Sequence, residues 1–217
     1  MTRAEIVWLR DDPSQAADDL HARLTTEEQA SLAAFAHPER QRSFLLSRVL
    51  LRQLLSAHLP ADNIRFTRAD NGRLVLAGQS GWHFSLSHAD GCVAVIVSTQ
   101  PCGIDIEAPR PVAIEKIAKR YFAQTETDAL TRCSGAEREA VFFRLWTLKE
   151  ASVKALGEGL ANNMSRLAFD VSGEQPRLLD AGIGLQLWQG YEAPLHIAAA
   201  VRTENSVEWS VRQVSAA

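Results

Sequence analysis

Cysteine is scarce in this chain: among 217 residues there are three, Cys92, Cys102 and Cys133. The number is odd and no C-x-x-C spacing occurs. That argues against a disulfide framework or a structural zinc site and leaves three small, partly buried thiols. Long apolar runs are missing too, and nothing approaches the ~20 residues a membrane-spanning helix needs. Residues 1–10 hold no signal-like apolar stretch, so the expected location is the cytoplasm. Nor is there an excess of one charge: 23 Lys and Arg against 26 Asp and Glu give a net −3. Without a broad basic field, no nucleic-acid backbone is expected as a partner, and any anion must be held locally. A Walker loop, a G-x-G-x-x-G fingerprint and a G-x-S-x-G elbow are all lacking.

What is present reads as a folded protein. Hydrophobic residues make up 46% and charged residues 23%, a balance that fits one large domain or two small ones. Ala4 to Leu9 reads as a strand. Thr25 and Glu28 are spaced as a capping box for a helix running to Phe35. Phe44, Leu45, Val49, Leu51 and Leu55 recur at helical steps and predict a helix from Pro38 to about Leu59. Short strands are expected at 64–66 and 74–76 around the Asn71-Gly72 turn. Trp82 to Ser87 alternates as a strand. Cys92 to Val97 is valine-rich and nearly continuous, as a strand covered on both faces should be. Ile104 to Glu107 follows, and Pro109 and Pro111 mark the expected boundary between 1–108 and 109–217. In the second part, helices are predicted from Ile114 to Phe122, from a Thr25-like cap at Thr125 through Leu130, and from Glu137 to Leu156, ended by Gly157 and Gly159. Four strands follow, at 169–171, 185–188, 196–202 and 207–214, expected to be antiparallel. Helices and a sheet in each part favour an α+β class.

Four groups of residues carry chemical options. Asp105 and Glu107 are two apart on a strand and share a face, with Ile104 and Ile106 on the other. At ~5 Å and a near-surface dielectric of ~20, two such charges repel by about 3 kcal/mol. They either sit in water, share a proton, or hold a cation, for which carboxylates favour Mg²⁺ or Mn²⁺ over Zn²⁺. Trp146, Glu150 and Lys154 are one helical turn apart on one face, beside an apolar stripe. Ser87 and His88 end a strand before the Asp90-Gly91 turn. They serve either as turn caps or as donors to phosphate oxygens. Arg68 and Arg73 flank the Asn71-Gly72 turn, either as solvated loop cations or as phosphate forks.

The order and spacing of these runs narrow the choice. F-S-L-S-H (84–88), G-I-D-I-E (103–107) and W-T-L-K-E-A-S-V-K (146–154), with P-E-R-Q-R-S-F-L-L-S-R-V-L-L-R (38–52), I-R-F-T-R-A-D-N-G-R (64–73) and I-A-K-R-Y-F-A-Q-T-E (117–126), resemble the 4′-phosphopantetheinyl transferases of the Sfp type. The resemblance implies a monomer of two similar α+β halves, a pseudo-dimer in one chain, with coenzyme A in the cleft between them. It implies an ion held by Asp105, Glu107 and Glu150, and coenzyme A phosphates held by Arg68, Arg73, Ser87, His88, Lys149 and Lys154. Glu126 matches an acid near the site. The implied reaction moves the phosphopantetheine arm to a serine of an apo acyl or peptidyl carrier protein and releases 3′,5′-ADP. In it, Glu150 takes the serine proton and Lys154 stabilises the leaving phosphate. Some positions depart from the family pattern. Ser85 stands where many members have Asn, Leu74 where a proline is common, and Glu28 and Ser31 where some carry basic residues. Arg40 or Arg42 is then expected to serve the 3′-phosphate. Two other functions use the same residues. One is a metal-dependent phosphohydrolase of coenzyme A or a related pyrophosphate, and the other is a carrier-binding module without turnover.

Overall fold

The structure is a computed structural model that describes residues 1–12, 20–78, 80–157, 164–180 and 182–214. In chain order it forms strand β1 (Thr2–Arg10) and helices α1 (Thr26–Ala33) and α2 (Pro38–Ser56). Strands β2 (Phe66–Arg68), β3 (Leu74–Leu76), β4 (His83–Ala89), β5 (Cys92–Ser98) and β6 (Cys102–Glu107) come next. Helices α3 (Ile114–Tyr121), α4 (Gln124–Arg132) and α5 (Gly135–Leu156) follow. The chain then adds β7 (Phe169–Asp170), β8 (Arg177–Leu178), β9 (Leu185–Glu192), β10 (Leu195–Arg202) and β11 (Val207–Gln213).

Most expected elements stand within a few residues of their predicted bounds, and the departures have local causes. The Thr25–Glu28 capping box forms, with Glu28 accepting from the Thr25 N–H at 3.0 Å. α2 stops at Ser56 rather than Leu59. The strand expected at 64–66 is shifted to 66–68, because a 3₁₀ turn at Ala61–Asn63 precedes it. α4 is capped at Ala123, whose N–H donates to the Glu126 carboxylate at 2.7 Å, and not at Thr125. α5 ends on Gly157 in the left-handed region, φ 73°, where a side chain would be strained. Gly159 lies outside the described residues.

Two sheets carry the fold. The first has the order β11-β1-β5-β4 and the second β6-β10-β9. β1-β5-β4 and β6-β10-β9 are both antiparallel throughout. β11 departs from the expected antiparallel pairing: it runs parallel to β1, Thr2 opposite Val207 and Trp8 opposite Gln213. No hairpin joins these two strands, so nothing in the local sequence dictates their relative direction.

Strand alternation sorts the side chains into three apolar layers. Val7, Leu9, Val93, Val95 and Val97 meet α2 through Leu46, Leu50, Leu51 and Leu54. On the other face of the first sheet, Ala4, Ile6, Trp8, Ala94 and Ile96 meet Ile104, Ile106, Ile197, Ala199 and Val201 of the second. The far face of the second sheet, with Ala198 and Ala200, meets α5 through Phe142, Leu145, Leu148 and Ala151. The layers are therefore helix, sheet, sheet, helix. Each fully buried Ile or Leu contributes about 1.5–3 kcal/mol. Cys92 and Cys102 lie in the central layer, and burial pushes the Cys102 thiol up to about 12, which makes it inert. All three cysteines are unpaired. Among the described residues, no helix is long and apolar enough to cross a membrane.

Candidate active site

β6 turns Ile104 and Ile106 to the central layer and Gly103, Asp105 and Glu107 to α5. Gly103 is required for the helix to come this close. A Cβ there would lie 2.0 Å from the Ala151 carbonyl oxygen and 2.6 Å from the Ala155 nitrogen, both rigid backbone. With the strand seated against residues 151–155, Asp105 meets Lys154, and Glu107 meets Trp146 two turns earlier on the same helix face.

Asp105 is 5% exposed. Its Oδ1 accepts from Lys154 Nζ and from Ser87 Oγ, both at 2.8 Å, while Oδ2 is buried with no hydrogen-bond partner. Burial pushes its carboxyl up, against the opposing pull of Lys154 and Ser87. Lys154 also donates to the Ile104 carbonyl at 2.9 Å. Glu107 Oε1 accepts from Trp146 Nε1 at 3.0 Å, and Arg110 clasps both of its oxygens. Glu150 is half-buried one turn before Lys154. Its carboxyl is raised to about 7, first by burial, then by the like charge of Asp105, with Lys154 opposing and Glu107 adding to the rise. Among the described residues no three His, Cys, Asp or Glu side chains are already gathered as an ion cage. Lys154 is paired with Asp105, and Arg110 with Glu107.

The first sheet contributes β4. Ser87 reaches Asp105, and exposed His88 lies next to it at the strand end. Arg73 also bridges the two sheets, though not as expected. Its guanidinium donates to the carbonyls of Phe84 on β4 (3.2 Å), Cys102 on β6 (3.0 Å) and Lys154 on α5 (2.5 Å). It acts as a staple across three elements, with a cavity of about 390 Å³ beside it lined by Trp82, His83, Phe84 and Pro101. Arg68 is exposed and turns back on the Gly72 carbonyl at 2.8 Å.

Lys149 departs furthest from expectation and is corrected here: it does not face the acids. It is fully buried in the α5 layer, 2.7 Å from Glu126, and donates to the carbonyls of Met164 and Leu167. The rings of Phe122 and Phe169 flank it. Burial pushes Glu126 up and Lys149 down, and each charge opposes the other's shift. Glu126 also accepts from the Phe169 N–H at 2.9 Å, so this pair ties α4, α5 and the start of β7 together. A signal for this was available. Lys149 falls on the same helix face as Phe142, Leu145 and Val153, the apolar stripe. Arg42 is engaged by Asp11 at 2.8 Å, whereas Arg40 is exposed. Glu28 is buried against Arg52 at 2.9 Å. Sequence reasoning missed Arg110, three residues beyond Glu107 in the irregular segment that follows β6. The larger cavity of about 620 Å³, by Ala140, Arg144, Tyr191 and His196, is lined by none of the three acids.

Comparison with known proteins places the chain in a family. Residues 101–204 match the family described as the 4′-phosphopantetheinyl transferase superfamily, and residues 12–100 match a second family, described as 4′-phosphopantetheinyl transferase, N-terminal. Protein HetI of Nostoc sp., a 4′-phosphopantetheinyl transferase, is 35% identical over 158 residues, covering 70% of this chain and 67% of its own. Sfp of Bacillus subtilis is 34% identical over 140 residues, covering 64% and 62%. Protein psf-1 of Bacillus pumilus is 35% identical over 169 residues, covering 73% and 72%. The chain belongs to the 4′-phosphopantetheinyl transferase superfamily and is an enzyme of that transferase class.

Proposed function

We propose that this enzyme transfers the 4′-phosphopantetheine arm of coenzyme A to a serine hydroxyl of an apo acyl or peptidyl carrier protein and releases 3′,5′-ADP. The observation that supports this reading is the docking of β6 on α5, Asp105 against Lys154 and Glu107 against Trp146, which brings Glu150 within electrostatic reach of both acids, with one buried oxygen of Asp105 unpartnered. A hard divalent cation, Mg²⁺ or Mn²⁺, fits that donor set: oxygen ligands, net negative charge, and a carboxyl at Glu150 whose like-charged neighbours favour a shared counter-ion. Asp105, Glu107 and Glu150 would hold it. When bound, the ion supplies positive charge that offsets the pyrophosphate and the departing phosphate.

The remaining roles belong to the chain's own residues. Arg68 and His88 are the donors proposed for coenzyme A phosphates, Ser87 gives its one hydroxyl proton to Asp105, and Arg73 keeps the β4 edge against β6. Lys154, partly exposed, has donor capacity beyond Asp105 and Ile104 for charge on the leaving phosphate. The serine oxygen forms a bond to the phosphorus bearing the pantetheine arm as the bond to the ADP oxygen breaks. Glu150 receives the serine proton.

The carrier is expected to meet α3, where Lys116, Lys119 and Arg120 offer charge to an acidic helix. The two sheet-and-helix units are proposed as similar halves of a pseudo-dimeric monomer. The repeated pairing order β1-β5-β4 and β6-β10-β9 supports this, and it moves the proposed division from 108/109 to the link between β5 and β6. Nothing in the fold or the comparisons favours the hydrolase reading. Incubation with coenzyme A, Mg²⁺ and a panel of apo carriers, read by intact mass, tests the proposal. A carrier that gains the arm is the expected result, and pantetheine phosphate released free with no carrier modified would replace transfer by hydrolysis.

A further inference from the structure

Three cations stand among the acids of the site, and they hold them differently. Lys154 takes one oxygen of Asp105 and leaves the other open. Arg73 touches only backbone carbonyls. Arg110 occupies both oxygens of Glu107, while Trp146 donates to one of them as well. Glu107 is thus the one acid of the three with both oxygens engaged, by Arg110 and Trp146. Arg110 is well placed to leave. Its side chain is 54% exposed, it lies in the irregular segment between β6 and α3, and the Phe143 ring lies 5.9 Å beneath its guanidinium. Glu107 is far less exposed, so the mobile partner of the pair is the arginine.

We propose that Arg110 is a resident counter-cation that competes with the divalent ion for Glu107, and that it thereby sets how tightly this enzyme binds its metal. The inference rests on the reading that Asp105, Glu107 and Glu150 hold the ion. With Arg110 in place, the ion is offered Asp105 Oδ2 and Glu150. Glu107 joins only when the arginine gives up both oxygens. Arg110 is accordingly a positioning residue for Glu107, and its own contact with the ion is repulsive.

Mn²⁺ binding without coenzyme A or carrier measures this directly, by the loss of the free-ion spin-resonance signal and by calorimetry with Mg²⁺. Arg110→Ala is expected to tighten Mn²⁺ binding roughly three- to tenfold, the scale of an outer partner of a metal ligand that is partly exposed. Arg110→Lys, which keeps the charge, should remain within about twofold of the parent, since a point charge still pairs with Glu107. In a Glu107→Gln background, the effect of Arg110→Ala should vanish. Unchanged or weaker Mn²⁺ binding by Arg110→Ala with a native circular dichroism spectrum would overturn the proposal. So would an equal tightening in the Glu107→Gln background, because that would be long-range repulsion and not competition for one carboxylate. If the parent protein binds no Mn²⁺ at millimolar concentration, the metal reading itself fails, and the proposal falls with it.

Discussion

The first and second sheets each lay a long helix on their outer face, yet the two contacts differ in kind. Under α2, β1 presents Val7 and Leu9 to an apolar layer, with Glu5 at its border paired to His58. Under α5, β6, an edge strand where β1 lies between β11 and β5, presents Gly103, Asp105 and Glu107. β1 and β6 pair in the same way, with β5 and β10 respectively. The two contacts thus differ through the side chains that each strand turns to its helix. Burying acids in such a layer costs stability unless they are paired, which accounts for the cations gathered there.

The largest way to break the contrast is to give β6 the residue of β1. Asp105→Val should leave a native fold by circular dichroism and cut transfer by more than about a thousandfold, the scale of several kcal/mol of transition-state charge stabilisation. Transfer at a tenth of the parent rate would remove Asp105 from the chemistry. Next comes the close approach that only the second unit needs. Gly103→Ala forces a methyl into the backbone of α5 and should cost about 3 kcal/mol, a fall on the order of 10 °C in Tm by thermal denaturation. An unchanged Tm would mean that α5 sits further from β6 than described.

A smaller effect sharpens the comparison through pH. The carboxyl of Glu150 is raised to about 7 from an ordinary 4.5. The folded chain therefore holds a proton there that the unfolded chain has lost, and stability falls as pH rises between those values. Glu150→Gln does not titrate, so its Tm should exceed the parent's by a few degrees at pH 8 and converge with it near pH 5. A gap that does not change with pH would deny the electrostatic origin. The smallest effect concerns the partner surface of the second unit. Arg120→Glu should raise KM for an apo carrier several-fold, about the worth of one exposed charge pair at a rim, and leave KM for coenzyme A unchanged. A carrier KM within error of the parent would remove α3 from the docking face.

Much of the second unit was legible before any coordinates. Alternation in Ile104-Asp105-Ile106-Glu107 assigns two faces, and the four-residue step of Trp146, Glu150 and Lys154 lines up one side of a helix. Both patterns are local, and local periodicity is what a sequence exposes. Lys149 was misassigned because neighbours in sequence on a helix point ~100° apart, so the residue beside Glu150 turns into the core. The sequence leaves Arg73 open as a loop cation or a phosphate fork, because backbone carbonyls, its actual partners, leave no mark there. The direction of β11 was equally hidden, since its partner β1 lies at the other end of the chain.

That last strand has a mechanical consequence. The polypeptide passes from the first sheet to the second after β5 and returns to the first in β11, so the two sheets are laced together twice. Prising them apart would have to strip the β1–β11 ladder as well as wet the isoleucine layer between the sheets. Admission of a bulky nucleotide by a clamshell swing is therefore disfavoured. Movement of individual arms at the rim, with the frame held still, is the less costly way in.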